Sequence, residues 1–270
     1  MLKTRVLTAI VLLAAFLAAL FLLPRYGWIA FCAVLVGAAA WEWGALAALA
    51  AGGRFIYTAI VIGLFVLPGM LGVSWGNGLY APLWVYYGAA IFWIVLVPAW
   101  MWRRPRVEGT VLIAAGLVVL LPAAAALVDL RVAHPSLLIA VLGTVWISDT
   151  AAYFIGRRFG RRKLAPSISP GKTWEGVAGA LLAVGLYAFA WANLPASAGS
   201  GAVKLAPIWI LPVLLGLAVV GMIGDLFESL IKRQAGVKDS GTLLPGHGGI
   251  LDRIDAPVAV LPLAVLAFIR

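Results

Sequence analysis

Apolar runs long enough to cross a membrane, separated by short polar gaps, recur from one end of this chain to the other. They fall at 6–23, 28–51, 55–74, 82–102, 109–128, 136–155, 173–194, 207–227 and 254–269. A helix needs roughly 20 apolar residues to cross a bilayer, so these are nine candidate spans. The final one is short and contains Pro257 and Pro262. Pro68, Pro98, Pro122 and Pro212 lie inside other spans, where neighbouring helices can compensate for lost backbone bonds. Of the 270 residues, 64% are hydrophobic and 11% charged. A water-soluble globule of this size could not hide so much apolar surface, which excludes a soluble enzyme, a disordered chain and a secreted disulfide scaffold. The expectation is an all-α polytopic integral membrane protein with about nine transmembrane helices and a cytoplasm-facing polar cavity.

The first run follows Lys3 and Arg5, as in a signal peptide. It is long for one and ends in Pro24-Arg25-Tyr26 instead of a small-residue cleavage site, so it reads as a retained helix. The chain divides into helices 1–5 over 1–135 and a catalytic region over 136–270. The latter holds helices 6–9 and two polar loops, 156–172 and 228–253.

Net charge is +10. The charges sit in the gaps, a membrane pattern and not a nucleic-acid one, and the excess can attract anionic lipids or anionic substrates. With the N-terminus in the cytoplasm, sixteen Lys and Arg fall inside and four outside, the four being Arg25, Arg131, Lys204 and Arg270. That asymmetry orients the chain and supports the span count. Cys32 is the only cysteine, which excludes disulfides and CxxC sites, and His134 and His247 are too few for a histidine metal cage.

Chemistry concentrates in two segments. In the first, Asp225 and Glu228 share a helix face three residues apart, and Asp252 and Asp255 repeat the spacing where the last helix begins. Four acids thus bracket one basic, glycine-containing loop, and acids at membrane depth are expensive. Carboxylates can hold Mg²⁺ with few protein ligands while phosphates fill the remaining positions. Lys232, Arg233 and Lys238 can neutralise a triphosphate, and Gly246, Gly248 and Gly249 let backbone approach phosphate oxygens. The alternative is structural: Asp252 and Asp255 paired with Arg253 and Lys238 at helix ends.

In the second segment, Asp149 lies near the inner end of an apolar span. Gly171-Lys172-Thr173 invites a P-loop reading, which fails because position 166 is proline and no strand is expected before it. What remains is a helix N-terminus with Lys172, two hydroxyls and Glu175, suited to a phosphate or to simple capping. The basic cluster from Arg157 to Lys163 reads as topology. Glu42, between Trp41 and Trp43, reads as a structural hydrogen-bond partner near a helix middle. Asp129 beside Arg131 reads as an outer surface pair, and the tryptophans as interfacial belts.

The run S-L-I-K-R-Q-A-G-V-K-D-S-G-T-L-L-P-G-H-G-G-I-L-D-R-I-D over 229–255 resembles the signature of the phosphatidate cytidylyltransferases, the integral-membrane CDP-diacylglycerol synthases. S-D-T-A-A-Y over 148–153 and S-P-G-K-T-W-E-G over 169–176 resemble the same family. The resemblance is close in the C-terminal half and amounts to hydrophobicity alone in the first five helices. It implies transfer of CMP from CTP to phosphatidate, giving CDP-diacylglycerol and pyrophosphate. It implies that Asp225 and Asp252, with Glu228 and Asp255, hold Mg²⁺ and a second cation. Lys232, Arg233, His247 and Arg253 would act on phosphate. Asp149, Lys172, Thr173, Glu175, Ser229, Lys238, Gly248 and Gly249 would bind substrate. CTP, phosphatidate and membrane lipids are the expected partners, with a homodimer, no nucleic acid, and a bacterial inner membrane with the active site cytoplasmic. Two other readings stand beside it: a CTP-dependent lipid-alcohol kinase that moves the γ-phosphoryl, and an ion transporter with Asp149, Asp225 and Asp252 along its path. A CDP-alcohol phosphotransferase is disfavoured, since no D-G-x-x-A-R run occurs.

Overall fold

The computed structural model describes residues 2–75, 78–105, 107, 109–193, 206–244 and 248–269, with side chains from residue 8 onward. Arg106, Lys204, Gly246, His247 and Arg270, and the side chains of Lys3 and Arg5, lie outside the described residues.

The chain is a polytopic α-helical membrane protein. Its elements run α1 (Leu2–Leu22), α2 (Arg25–Leu46), α3 (Ala51–Met70), α4 (Leu83–Ile91), a π-helical turn (Phe92–Leu96), α5 (Val97–Arg103), α6 (Gly109–Ala133) and α7 (Pro135–Phe159). They continue with β1 (Lys163–Ala165), β2 (Ser169–Thr173), α8 (Trp174–Ala192), α9 (Pro207–Gln234), α10 (Leu251–Ile254) and α11 (Pro257–Phe268). Among the described residues every apolar run is helical, and seven helical spans are long and apolar enough to cross a membrane.

α1 runs for 21 residues, and the part with described side chains, Thr8–Leu22, is an apolar helix. The final run falls short of bilayer length. It breaks at Asp255 and Ala256, leaving twelve residues in α11, about 18 Å at 1.5 Å per residue. α11 is apolar on all sides, as suits a helix enclosed by protein. It packs against α4, α6, α7 and α9, with Ala259, Val260, Ala264, Val265 and Phe268 fully buried. It is the central post of the bundle.

The all-α bundle carries one small β element, where no strand was expected. Residues 163–173 form a two-stranded antiparallel hairpin, pairing Lys163 with Thr173 and Ala165 with Ser169. Gly171-Lys172-Thr173 therefore lies in a strand. The two polar loops are also shorter than expected, because α7 continues to Phe159 and α9 to Gln234. α7 and α8 meet through small residues: a Cβ on Gly176 would lie 2.9 Å from the Ala152 carbonyl and 3.4 Å from Gly156 Cα. This close approach anchors the start of α8, where Thr173 Oγ1 accepts a hydrogen bond from Gly176 N–H at 3.1 Å.

Asp129 is not a surface pair with Arg131. It is buried, and accepts hydrogen bonds from Tyr80 N–H at 2.6 Å and from the Tyr86 hydroxyl. Arg131 turns the other way, donating to the Leu20 and Leu23 carbonyls and lying over the Trp28 ring. The tryptophans divide in two. Trp84, Trp102 and Trp209 are exposed near helix ends, as interfacial residues are. Trp28, Trp43 and Trp93 are core residues, and Trp43 Nε1 donates to the Leu112 carbonyl at 2.7 Å.

Candidate active site

The last turns of α9 supply the framework. Asp225, Glu228, Ser229 and Lys232 stand at helical spacings that place them on one face. Gly224 lets this face meet the α10–α11 junction: a Cβ there would lie 2.6 Å from the Asp255 carbonyl and 2.9 Å from Ala259 Cβ. Asp255 consequently sits within electrostatic reach of Asp225, Glu228 and Asp149. Asp149, from α7, feels both Asp225 and Lys172.

Two lysines thread this group of acids. Lys172 Nζ, projecting from β2, lies 2.6 Å from Asp225 Oδ2, in a pair that keeps 25% and 30% of its side-chain surface exposed. Ser229 Oγ donates to Asp225 Oδ1 at 3.4 Å. Lys232 is more enclosed and bridges Glu228 Oε2 at 3.1 Å and Asp252 Oδ1 at 2.5 Å. Asp252 is thus ion-paired, but its partner is Lys232, not Arg253 or Lys238.

The other Asp252 oxygen, Oδ2, accepts Ser240 N–H at 3.0 Å and Gly249 N–H at 2.8 Å. Burial pushes the Asp252 carboxyl upward, but Lys232 and these two amides outweigh it and hold the group below the ordinary carboxylate range. Gly248 adopts φ +81°, a conformation that favours glycine, and a Cβ on it would lie 2.8 Å from Asp252 Oδ2.

The sequence puts Glu42 near a helix middle, as a structural hydrogen-bond partner. Because α2 ends at Leu46, Glu42 falls in its last turn and reaches the loop directly. It is 1% exposed. Its Oε1 accepts Ile250 N–H at 3.0 Å, and its Oε2 accepts Leu251 N–H and Ser240 Oγ–H, both at 2.9 Å. The expected structural hydrogen bond is present, and it is made to the loop that carries Asp252. The available signal was a lone acid in an apolar run. Nothing in sequence spacing paired it with residues some two hundred positions away.

The remaining expected residues divide by what they touch. Glu175 gives its carboxylate to the Arg161 and Arg162 backbone amides at 3.0–3.2 Å, pinning the hairpin. Thr173 caps α8. Gly249 is spent on Asp252. Arg233, Lys238 and Arg253 are exposed, and Arg233 Nη1 donates to the Val237 carbonyl at 3.2 Å. Their exposure puts them at positions that a large anion could reach from water.

Five carboxylates stand against two ammonium groups, so acidic groups outnumber basic ones in the cluster. Glu228 Oε1 is buried without a hydrogen-bond donor, although Glu228 is only 3% exposed. Such an oxygen calls for a cation or a proton. Among the described residues no three His, Cys, Asp or Glu already stand in ligating arrangement. The donor set therefore suits a hard cation that takes one or two carboxylates and completes its shell with water or phosphate, and not an all-protein cage.

An acid-rich cluster threaded by two lysines thus stands where α9, β2 and α10 meet. Residues 3–269 match the cytidylyltransferase family, and the chain belongs to that family. It is 42% identical to a protein of Pseudomonas aeruginosa over 97% of this chain and 95% of that one. It is 37% identical to a protein of Haemophilus influenzae over 97% and 96%. A Bacillus subtilis protein is 46% identical over 44% of this chain and 42% of its own length. Each of the three is named phosphatidate cytidylyltransferase. The likeness thus covers the first five helices as well as the C-terminal half.

Proposed function

We propose that the acid–lysine cluster catalyses the reaction for which these relatives are named. A phosphate oxygen of phosphatidate attacks the α-phosphorus of CTP. The bond to the β-phosphate breaks, pyrophosphate leaves, and CDP-diacylglycerol remains. The nucleophile is already ionised near neutral pH, so no general base is required. The barrier lies in bringing anion to anion, and fixed cations lower it most.

Asp225 and Asp252, assisted by Glu228 and Asp255, would hold Mg²⁺, with a second cation nearby. When bound, these ions supply charge neutralisation at the phosphate oxygens. Lys172 and Lys232 stand within hydrogen-bond distance of the same carboxylates, so either can hold a phosphate oxygen beside them. Arg233, Lys238 and Arg253 would meet the β- and γ-phosphates at the exposed rim. Asp149 and Ser229 orient Lys172 and Asp225. Acyl chains stay in the bilayer between helices. The distribution of Lys and Arg, sixteen to four, supports a cytoplasmic cluster, and the bacterial relatives support an inner membrane.

The observation that carries this reading is the convergence of α9, β2 and α10 on one charged cluster. The five acids and two lysines of the cluster gather where α9, β2 and α10 meet, which disfavours a transport path across the midplane. Labelled CTP decides between the two enzyme readings. Solubilised protein with phosphatidate and Mg²⁺ should place α-phosphate label in the lipid and release the γ-label as pyrophosphate. Lipid bearing the γ-label would establish a kinase.

A further inference from the structure

We infer that Glu42, from the N-terminal half of the chain, is a positioning residue for nucleotidyl transfer and acts through Asp252. This rests on the reading of Asp252 given above. Three donors converge on the Glu42 carboxylate: the Ile250 and Leu251 amides and the Ser240 hydroxyl. Two of them belong to residues that flank Asp252 closely, and Ser240 also gives its own amide to Asp252 Oδ2. Glu42 and Asp252 therefore grip the same loop, with Ser240 bonded to both.

The loop is shaped around the Glu42 side chain. A Cβ on Gly241 would lie 2.5 Å from Glu42 Oε1. A Cβ on Gly249 would lie 2.4 Å from Glu42 Oε2 and 2.1 Å from Ser240 Oγ. Two glycines at once make room for one carboxylate, and a merely capped turn does not demand that. The carboxylate is buried and charge-assisted, so its bonds are strong and directional. It fixes the turn from which Asp252 presents Oδ1 toward Glu228 and Lys232. A loop free to shift by an ångström would carry Asp252 with it, and displacement of that size can cost about 100-fold in rate.

The full chain in detergent, with CTP, phosphatidate and Mn²⁺, tests this. Glu42→Gln keeps the volume but sets an amide group against backbone N–H donors. It should lower kcat about 10- to 100-fold with the KM for CTP within about threefold. It should raise the Mn²⁺ concentration for half-maximal binding, read by electron paramagnetic resonance without turnover, about tenfold. Ser240→Ala removes one donor and should move both quantities the same way by less, and it decides the matter alone if Glu42→Gln does not fold. Wild-type kcat and Mn²⁺ binding in both folded variants would overturn the role of Glu42. Asp252→Asn, measured alongside, separates this failure from that of the underlying reading. An inactive Asp252→Asn protein beside a normal Glu42→Gln protein sinks only the inference about Glu42. An Asp252→Asn protein with normal turnover sinks the reading of the site, and this inference with it.

Discussion

Lys232 Nζ lies 2.5 Å from Asp252 Oδ1 although twenty residues separate them, and the same ammonium reaches Glu228 one helical turn back on α9. This bridge ties the end of α9 to the start of α10 and closes the loop between them over the carboxylate cluster. Its three side chains are enclosed, with 10%, 5% and 7% of their surface accessible. The Lys172–Asp225 pair does related work in a wetter place.

The difference in burial predicts a difference in stability. Lys232→Met leaves Glu228 and Asp252 charged, enclosed and unpaired, which costs about 3–5 kcal/mol when a buried pair is broken. Its melting temperature should drop by several degrees and its turnover should vanish. Lys172→Met breaks a partly exposed pair, whose loss costs no more than about 1 kcal/mol. It should melt close to wild type and still lose most of its activity. Thermal melts of the two variants beside turnover check both statements.

Asp225→Asn keeps the shape of the side chain and removes its charge. Turnover should fall at least about 100-fold if the carboxylate holds a cation against the reacting phosphates. The melting curve should barely move, because the Lys172–Asp225 pair is partly exposed.

Tyr86→Phe makes the opposite prediction. It leaves one oxygen of the buried Asp129 without its hydroxyl donor, at a cost of about 1–3 kcal/mol. Asp129 belongs to the other end of α6, away from the carboxylate cluster. Chemical denaturation should show the loss of stability, while kcat and KM remain at wild-type values.

Gly249→Ala should be among the most damaging small changes in the chain. Its Cβ would press on Ser240 Oγ and Glu42 Oε2, and overpacking of that kind typically costs about 1–3 kcal/mol. The measured quantities are turnover and melting temperature, both lowered. Gly171→Ala, where a Cβ would meet nothing within 4 Å, should change neither by much.

What the sequence disclosed follows from what is local. Apolar runs of bilayer length mark helices without any knowledge of their neighbours, and each became helical. Asp225 with Glu228, and Asp252 with Asp255, could be paired by spacing along one helix. The break at Asp255 and Ala256 falls just before Pro257, which opens α11, so the short, proline-bearing final run was legible as a shortened helix although its place at the bundle centre was not. The hairpin over 163–173 escaped notice since its strands are short and rich in Gly, Pro and Lys. Glu42 and Asp129 were misplaced for one reason: their partners come from distant chain segments, and only packing brings Ser240 or Tyr86 to them. The partner of Asp252 was missed in the same way, because Lys232 reaches it from another helix while Arg253 stands next to it in sequence.

The central claim is that Asp225 and Asp252 together hold the cations that let two phosphates approach. Direct Mn²⁺ titration of purified wild type, Asp225→Asn and Asp252→Asn, followed by electron paramagnetic resonance, tests it without reliance on turnover. The account predicts saturable binding by the wild type and at least a tenfold loss of affinity in each variant. Equal binding by all three folded proteins would contradict it.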